Sequence, residues 1–227
     1  MQLTNIIYEE HDCVAKIIMN RQKALNALST DLLLELEDCI KRAEKNDQVV
    51  AIVITGSGDK TFSVSADVQE FKGMSTSEVK KYITLGKTVM REIRNSTKPV
   101  IALVNGVALG GDCELARACD IQIAAEHAKF GQPEVKLGII PSWGGTQMLP
   151  QLIGFGKAKE LIFTGDTIDA QEAKRLGLID EIASKSELWG TSSKLTSKIK
   201  ESSPIAVKNA KLAVNKAWEL LSEPGFT

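Results

Sequence analysis

Apolar and polar residues follow two periods along the chain, and the periods divide it into elements. Ile6 to Glu10 and Val14 to Met19 read as short strands around His11 and Asp12, so the chain opens with a hairpin. After the polar loop from Asn20 to Ala27, Ser29 is placed to cap a helix in which Leu32, Leu33, Leu36 and Ile40 recur at helical spacing until Asn46 and Asp47. Val49 to Thr55 is continuously apolar and ends at Gly56, the pattern of a strand buried on both faces. Asp67 to Phe71 starts a second helical period. A long helix is expected from Ser75 to Arg94, capped by Ser75 or Ser77, with Val79, Tyr82, Ile83, Val89 and Ile93 on its apolar side.

Val100 to Val104 and Cys119 to Ala124 are further apolar strands; between them the chain turns at Asn105 and Gly106 and becomes helical after Gly110 and Gly111. Past Gly154 the spacing predicts helices over 154–163, 167–176, from Ser186 onward and from Pro204 to Leu221, with a short extended piece from Leu178 to Ile182. Strands that alternate with helices in this order favour an α/β arrangement with crossover connections.

Composition narrows the function classes. The chain has 227 residues, 43% hydrophobic and 25% charged, with a formal net charge of -1. That length suits one globular domain, or one with a small appendage. No long basic run supports a nucleic-acid or membrane-surface partner, and no stretch reaches the apolar length of a membrane span. Cys13, Cys39, Cys113 and Cys119 have no metal-binding spacing, and with only His11 and His127 beside them the pattern argues against a metal site. Buried free thiols are the simpler reading. The N-terminal residues lack a charged-then-apolar leader pattern, so a cytoplasmic protein is the expectation.

The chemistry concentrates between Lys98 and Gln147. Gly110 and Gly111 stand where a loop becomes a helix, which lets the backbone take unusual angles and lets a ligand approach it. The first amides of that helix lack intrahelical partners and favour negative charge, so they form a ready seat for an oxyanion. Glu114 lies within the first turn of the same helix. Glu134 follows a Gly-Gln-Pro turn that fixes the backbone ahead of it. Plainer readings stand beside these: a glycine pair is often only a turn, and an acidic residue in a first helical turn often only complements the dipole. Spacing alone does not bring the two carboxylates together.

Four blocks carry a resemblance: NRQKALNAL at Asn20 to Leu28, FSVSADVQEF at Phe62 to Phe71, ALGGDCELA at Ala108 to Ala116, and GQPEVKLGIIPSWGGTQ at Gly131 to Gln147. Together, and in this order, they resemble the crotonase, or enoyl-CoA hydratase/isomerase, family, with the likeness running to about Asn215. The resemblance implies a crotonase-like α/β spiral of strand-strand-helix units over residues 1–153 and a helical C-terminal region over 154–227. It implies an enzyme that hydrates a 2-enoyl-CoA thioester, with Glu114 as the catalytic base and Glu134 as the acid. The amides of Ala66 and Gly111 would form the oxyanion hole. Coenzyme A would meet Lys23, Ala24 and Leu25 on one side and Ala66, Asp67 and Val68 on the other, and Trp143 would narrow the acyl pocket. No cofactor is implied, since coenzyme A is part of the substrate, and the implied assembly is a homotrimer or a dimer of trimers.

The chain also departs from the family pattern. Gln22 replaces a usual proline, Ser65 a usual glycine, and Asp112 a third glycine beside the oxyanion amide. Asp112 either competes with the substrate oxygen for the field of the helix or points into solvent. Family members commonly continue with further helices past the point where this chain stops, so the C-terminal region is expected to be shortened. A double-bond isomerase and a non-catalytic acyl-CoA-binding protein remain the alternative readings.

Overall fold

The computed structural model describes residues 2–64, 68–71 and 73–220. Strands β1 (Ile6–His11) and β2 (Val14–Met19) form the expected hairpin. Its turn residues Asp12 and Cys13 have φ of 49° and 63°, the left-handed conformation that a two-residue hairpin turn demands. A single 3-10 turn, Gln22–Ala24, leads to α1 (Thr30–Lys45), where the Ser29 hydroxyl accepts from the Leu32 amide. The chain continues through β3 (Ala51–Gly56), β4 (Thr61–Val64), α2 (Val68–Phe71) and α3 (Thr76–Asn95). At the start of α3, Ser75 and Glu78 form a reciprocal capping box.

Next come β5 (Val100–Val104), β6 (Val107–Leu109) and α4 (Gly111–Ala118), then β7 (Ile121–Ala125), β8 (Lys129–Gly131), a 3-10 turn at Pro133–Leu137 and α5 (Gly145–Ile153). The remainder is α6 (Phe155–Thr164), β9 (Thr167–Asp169), α7 (Ala170–Arg175), β10 (Glu181–Ala183), α8 (Leu188–Lys200) and α9 (Pro204–Leu220).

The strands form two sheets, ordered β1-β2-β3-β5-β7-β10 and β4-β6-β8-β9. Consecutive strands alternate between the sheets and are followed by a helix: β3, β4 and α3, then β5, β6 and α4, then β7, β8 and α5. Each turn of this spiral lays a parallel strand beside the previous one in both sheets. The chain therefore has the mixed α/β spiral that its resemblance implied. β3 and β5 are buried along their whole length, as their unbroken apolar runs require.

Register has a consequence for the site. Val64 at the end of β4 pairs with Leu109 at the end of β6, and Leu109 pairs with Gly131 at the end of β8. The segments that leave β6 and β8, led by Gly110 and Gln132, thus start from the same end of the second sheet, where β4 also ends. Most strands of that sheet were not legible beforehand, because three or four residues carry too little alternation. The helix expected over 167–176 begins instead as β9, and Asp169 caps α7 by accepting from the Glu172 amide.

Candidate active site

Helix α4 starts where β6 ends, and Gly110 makes the corner. Its φ of 60° with ψ of -128° is accessible in practice only to glycine, and its amide donates to the Gly131 carbonyl at the end of the neighbouring strand β8. Glu114 then lies one turn into α4, 1% exposed, with its own amide bonded to the Gly110 carbonyl. Its Oε1 accepts from the amides of Trp143 at 2.9 Å and Gly145 at 2.6 Å, so the carboxylate sits over the N-terminus of α5. Burial raises the carboxyl above its ordinary range, and the amides of Gly145 and Trp143 work against that rise.

The seat fits closely. A Cβ on Gly145 would fall 3.0 Å from Glu114 Oε1 and 3.1 Å from the Gln132 side chain, so a side chain at residue 145 would force these neighbours to give way. Gly144, with φ of 124°, makes the turn that aims these amides.

Glu134 comes from the 3-10 turn after β8 and is 7% exposed. Its carboxyl is pushed up to about 7, first by burial and further by the nearby charge of Glu114, with its own backbone amide opposing. With its side-chain nitrogen facing Glu134, Gln132 donates to both carboxylate oxygens at 2.9 and 3.1 Å. The fold thus brings Glu114 and Glu134 within electrostatic reach of one another, although 20 positions separate them in the sequence. Gln132 was missed by the sequence reading; its place two residues ahead of Glu134, across a proline, was the available signal.

Gly111 is the first residue of α4, within one helical turn of Glu114 in the chain. The indole of Trp143 lies against it: a Cβ on Gly111 would come 2.5 Å from the ring, and one on Gly86 of α3 would come 2.1 Å from it. Trp143 is 5% exposed, its ring centroid is 5.4 Å from that of Tyr82, and its buried indole nitrogen has no hydrogen-bond partner among the described residues. The ring also walls a cleft of about 740 Å³ between α3 and the start of α5, lined in part by Met90, Arg91, Ile140 and Met148. Asp112 is 0% exposed, which removes the expectation that it could point into solvent.

The remaining candidates fall into two groups. Lys23 and Ala24 lie in the 3-10 turn after β2, and Leu25 closes it with a left-handed φ of 52°. The Leu25 carbonyl accepts from the Val64 amide at 3.1 Å, which ties this loop to the end of β4. Ala66 and Asp67 lie outside the described residues, and Val68 opens α2. Among the described residues no group of three or more His, Cys, Asp and Glu side chains is arranged to hold a metal, and no helix is long and apolar enough to cross a membrane.

Comparison with known proteins places this geometry. The family described as enoyl-CoA hydratase/isomerase matches residues 9–226. The chain is 48% identical over 219 residues to the short-chain-enoyl-CoA hydratase of Clostridium acetobutylicum, covering 96% of this chain and 84% of that protein. It is 45% identical to the crotonyl-CoA hydratase of Syntrophomonas wolfei, with the same coverage. Its backbone superposes on the crystal structure of an enoyl-CoA hydratase from Bacillus anthracis with a TM-score of 0.91 at 41% identity, over 93% of this chain and 83% of that one. With its two-sheet spiral and its paired buried carboxylates, the chain belongs to the enoyl-CoA hydratase/isomerase family.

Proposed function

We propose that this protein catalyses the reversible addition of water to a short-chain 2-enoyl-CoA, giving the 3-hydroxyacyl-CoA. The observation that carries the reading is the pair Glu114 and Glu134, buried together and anchored differently. Glu114 is fixed by backbone amides, whereas Glu134 is held by the Gln132 side chain and has a carboxyl pushed up to about 7. Neighbouring carboxyls of this kind can divide the roles of base and acid.

In the hydration direction Glu114 takes a proton from water as its oxygen bonds to C3 of the enoyl group. The C2–C3 π electrons move toward C2, and charge builds on the thioester oxygen. The amides of Ala66 and Gly111 receive that charge. Glu134 then delivers a proton to C2, and dehydration reverses each step. No cofactor takes part, because coenzyme A belongs to the substrate, gripped by the loop Lys23, Ala24 and Leu25 and by Ala66, Asp67 and Val68. Trp143, seated against Gly111, limits the acyl group to a short chain.

A cytoplasmic role in fatty-acid β-oxidation, as a homotrimer or a dimer of trimers, accompanies this reading. Self-association is supported by an apolar surface on the turn after β8 and on α6, where Leu137, Ile139, Ile140, Phe155 and Phe163 are all more than half exposed.

The test is the loss of enoyl-thioester absorbance with crotonyl-CoA, run beside Glu134→Gln. Turnover by the parent protein that collapses in the variant is the expected result. Turnover that survives the substitution would point to an isomerase-type, single-carboxylate site. Saturable coenzyme A binding without any absorbance change would point to a binding protein.

A further inference from the structure

Asn26 lies at the base of the Lys23–Leu25 loop, and the preceding mechanism leaves it without a role. It is 0% exposed and has a left-handed φ of 58°, directly after Leu25 at 52°. Asparagine tolerates that conformation better than most residues. Its Oδ1 accepts from the Arg21 amide at 3.0 Å and the Ser57 hydroxyl at 3.2 Å. Its Nδ2 faces the carbonyls of Ser57, Phe62 and Thr61 at 3.0, 3.3 and 3.4 Å. The Asn26 carbonyl accepts from the Ser63 hydroxyl at 2.6 Å. One buried side chain therefore joins the loop after β2 to the turn before β4 and to β4 itself.

The contrast along the loop is what suggests function. Its base is fixed by these bonds, while Lys23 is exposed and Leu25 is 47% exposed at the tip. On the other side, β4 ends at Val64, which pairs with Leu109, two residues before Gly111. We propose that Asn26 is a positioning residue that holds the coenzyme A loop in register with the strand pair leading to the oxyanion amide. The proposal rests on the hydratase reading for the roles of that loop and of Gly111. Asn26 touches no reacting atom; it acts through the loop it holds. A displacement of the loop by a fraction of an ångström is felt in binding, because recognition of the nucleotide end depends on where its tip stands.

Asn26→Gly removes the amide and keeps the left-handed backbone without strain. The experiment compares crotonyl-CoA with the crotonyl thioester of N-acetylcysteamine, which lacks the nucleotide. For the variant we expect KM for crotonyl-CoA to rise about tenfold with kcat within about twofold, and kcat/KM for the short thioester to stay within about twofold. Equal losses on both substrates, or no change on either, would overturn the proposal. Ser57→Ala removes only the hydroxyl bond to Oδ1, and a rise in KM of about threefold, confined to crotonyl-CoA, is expected of it. If Asn26→Gly does not fold, this milder variant decides. Calorimetric affinity for coenzyme A is measured on the same proteins. A parent protein that binds coenzyme A without turnover sinks the hydratase reading alone, whereas unaltered affinity in the folded variants sinks the role of Asn26.

Discussion

Helices α4 and α9 are held in opposite ways. Of the residues in α4, Gly111, Asp112, Cys113, Glu114, Leu115, Ala116 and Ala118 are all buried, and the carboxylate it carries is bonded to two backbone amides of another element. Among the described residues of α9, those that turn partly inward are Val207, Lys211 and Asn215, while Ile205, Leu212 and Val214 are 73%, 43% and 69% exposed. Polar bonds tie these inward residues down: Lys211 donates to Asp120 at 2.7 Å and to the Lys98 carbonyl at 2.9 Å, and Asn215 donates to the Arg94 carbonyl at 2.8 Å. Burial on every side leaves α4 one position. A few polar latches on an exposed helix allow local release at a small fraction of the cost of global unfolding. The carboxylate to which we assign the role of base thus lies on the more firmly held of these two helices.

Ways to break that contrast run from large effects to small. Glu114→Gln keeps the shape of the seat but removes the base, and a fall in kcat of about 10²- to 10⁴-fold is expected in the crotonyl-CoA assay, with the melting temperature nearly unchanged. A variant with full activity would remove Glu114 from the mechanism.

Gly145→Ala tests rigidity rather than charge. Its methyl would meet Glu114 Oε1 at 3.0 Å and Pro141 at 3.0 Å, so the carboxylate or the start of α5 must shift. We expect activity to drop about 10²-fold, with a loss of about 1–3 kcal/mol in denaturant unfolding. Were activity retained, the tight seat would have no catalytic weight.

The pH profile sharpens the division of roles between the carboxylates. Glu134 must be protonated to act as acid in hydration, and its carboxyl is pushed up to about 7, so kcat/KM for hydration should decline as pH rises through about 7. Since the folded protein holds this proton more tightly than the unfolded chain, stability from this group is present below the ordinary carboxyl range and fades as pH climbs to about 7. Glu134→Gln should lack that loss when unfolding is followed across the same pH range.

Lys211→Met is the smallest test and concerns α9 alone. It breaks the pair with Asp120, whose carboxyl is raised by burial and pulled back down by Lys211. About 2 kcal/mol of stability should be lost, with faster hydrogen exchange in α9 and kcat unchanged. A large drop in kcat would show that α9 and the site are mechanically coupled after all.

The elements with strong periodicity were legible beforehand. The hairpin, α1 with its Ser29 cap, α3 and the runs forming β3 and β5 follow from local pattern, because burial on one or both faces writes itself into the spacing. The short strands β4, β6 and β8 were not expected as a sheet. That sheet sets Val64, Leu109 and Gly131 in register, and through it the chain brings Glu134 to Glu114. Its stability comes from pairing between distant segments, which leaves almost no local signature. Asp112 illustrates the same limit: its identity marked a departure from the family, yet only packing decided that it is wholly buried.

By itself, then, the sequence determined the apolar strands, the capped helices, the glycines at the corners and the two carboxylates. These depend on local backbone preference and on which residues can leave water. The tertiary structure decided that Glu114 takes its hydrogen bonds from Trp143 and Gly145, that Glu134 is gripped by Gln132, and that the indole of Trp143 lies against Gly111 and Gly86. Except for the grip of Gln132 on Glu134, which lies within one turn of chain, each of these contacts joins segments distant in the sequence that the spiral brings together. Their energies and pKa shifts arise from burial and proximity in three dimensions, quantities that no spacing along the chain contains.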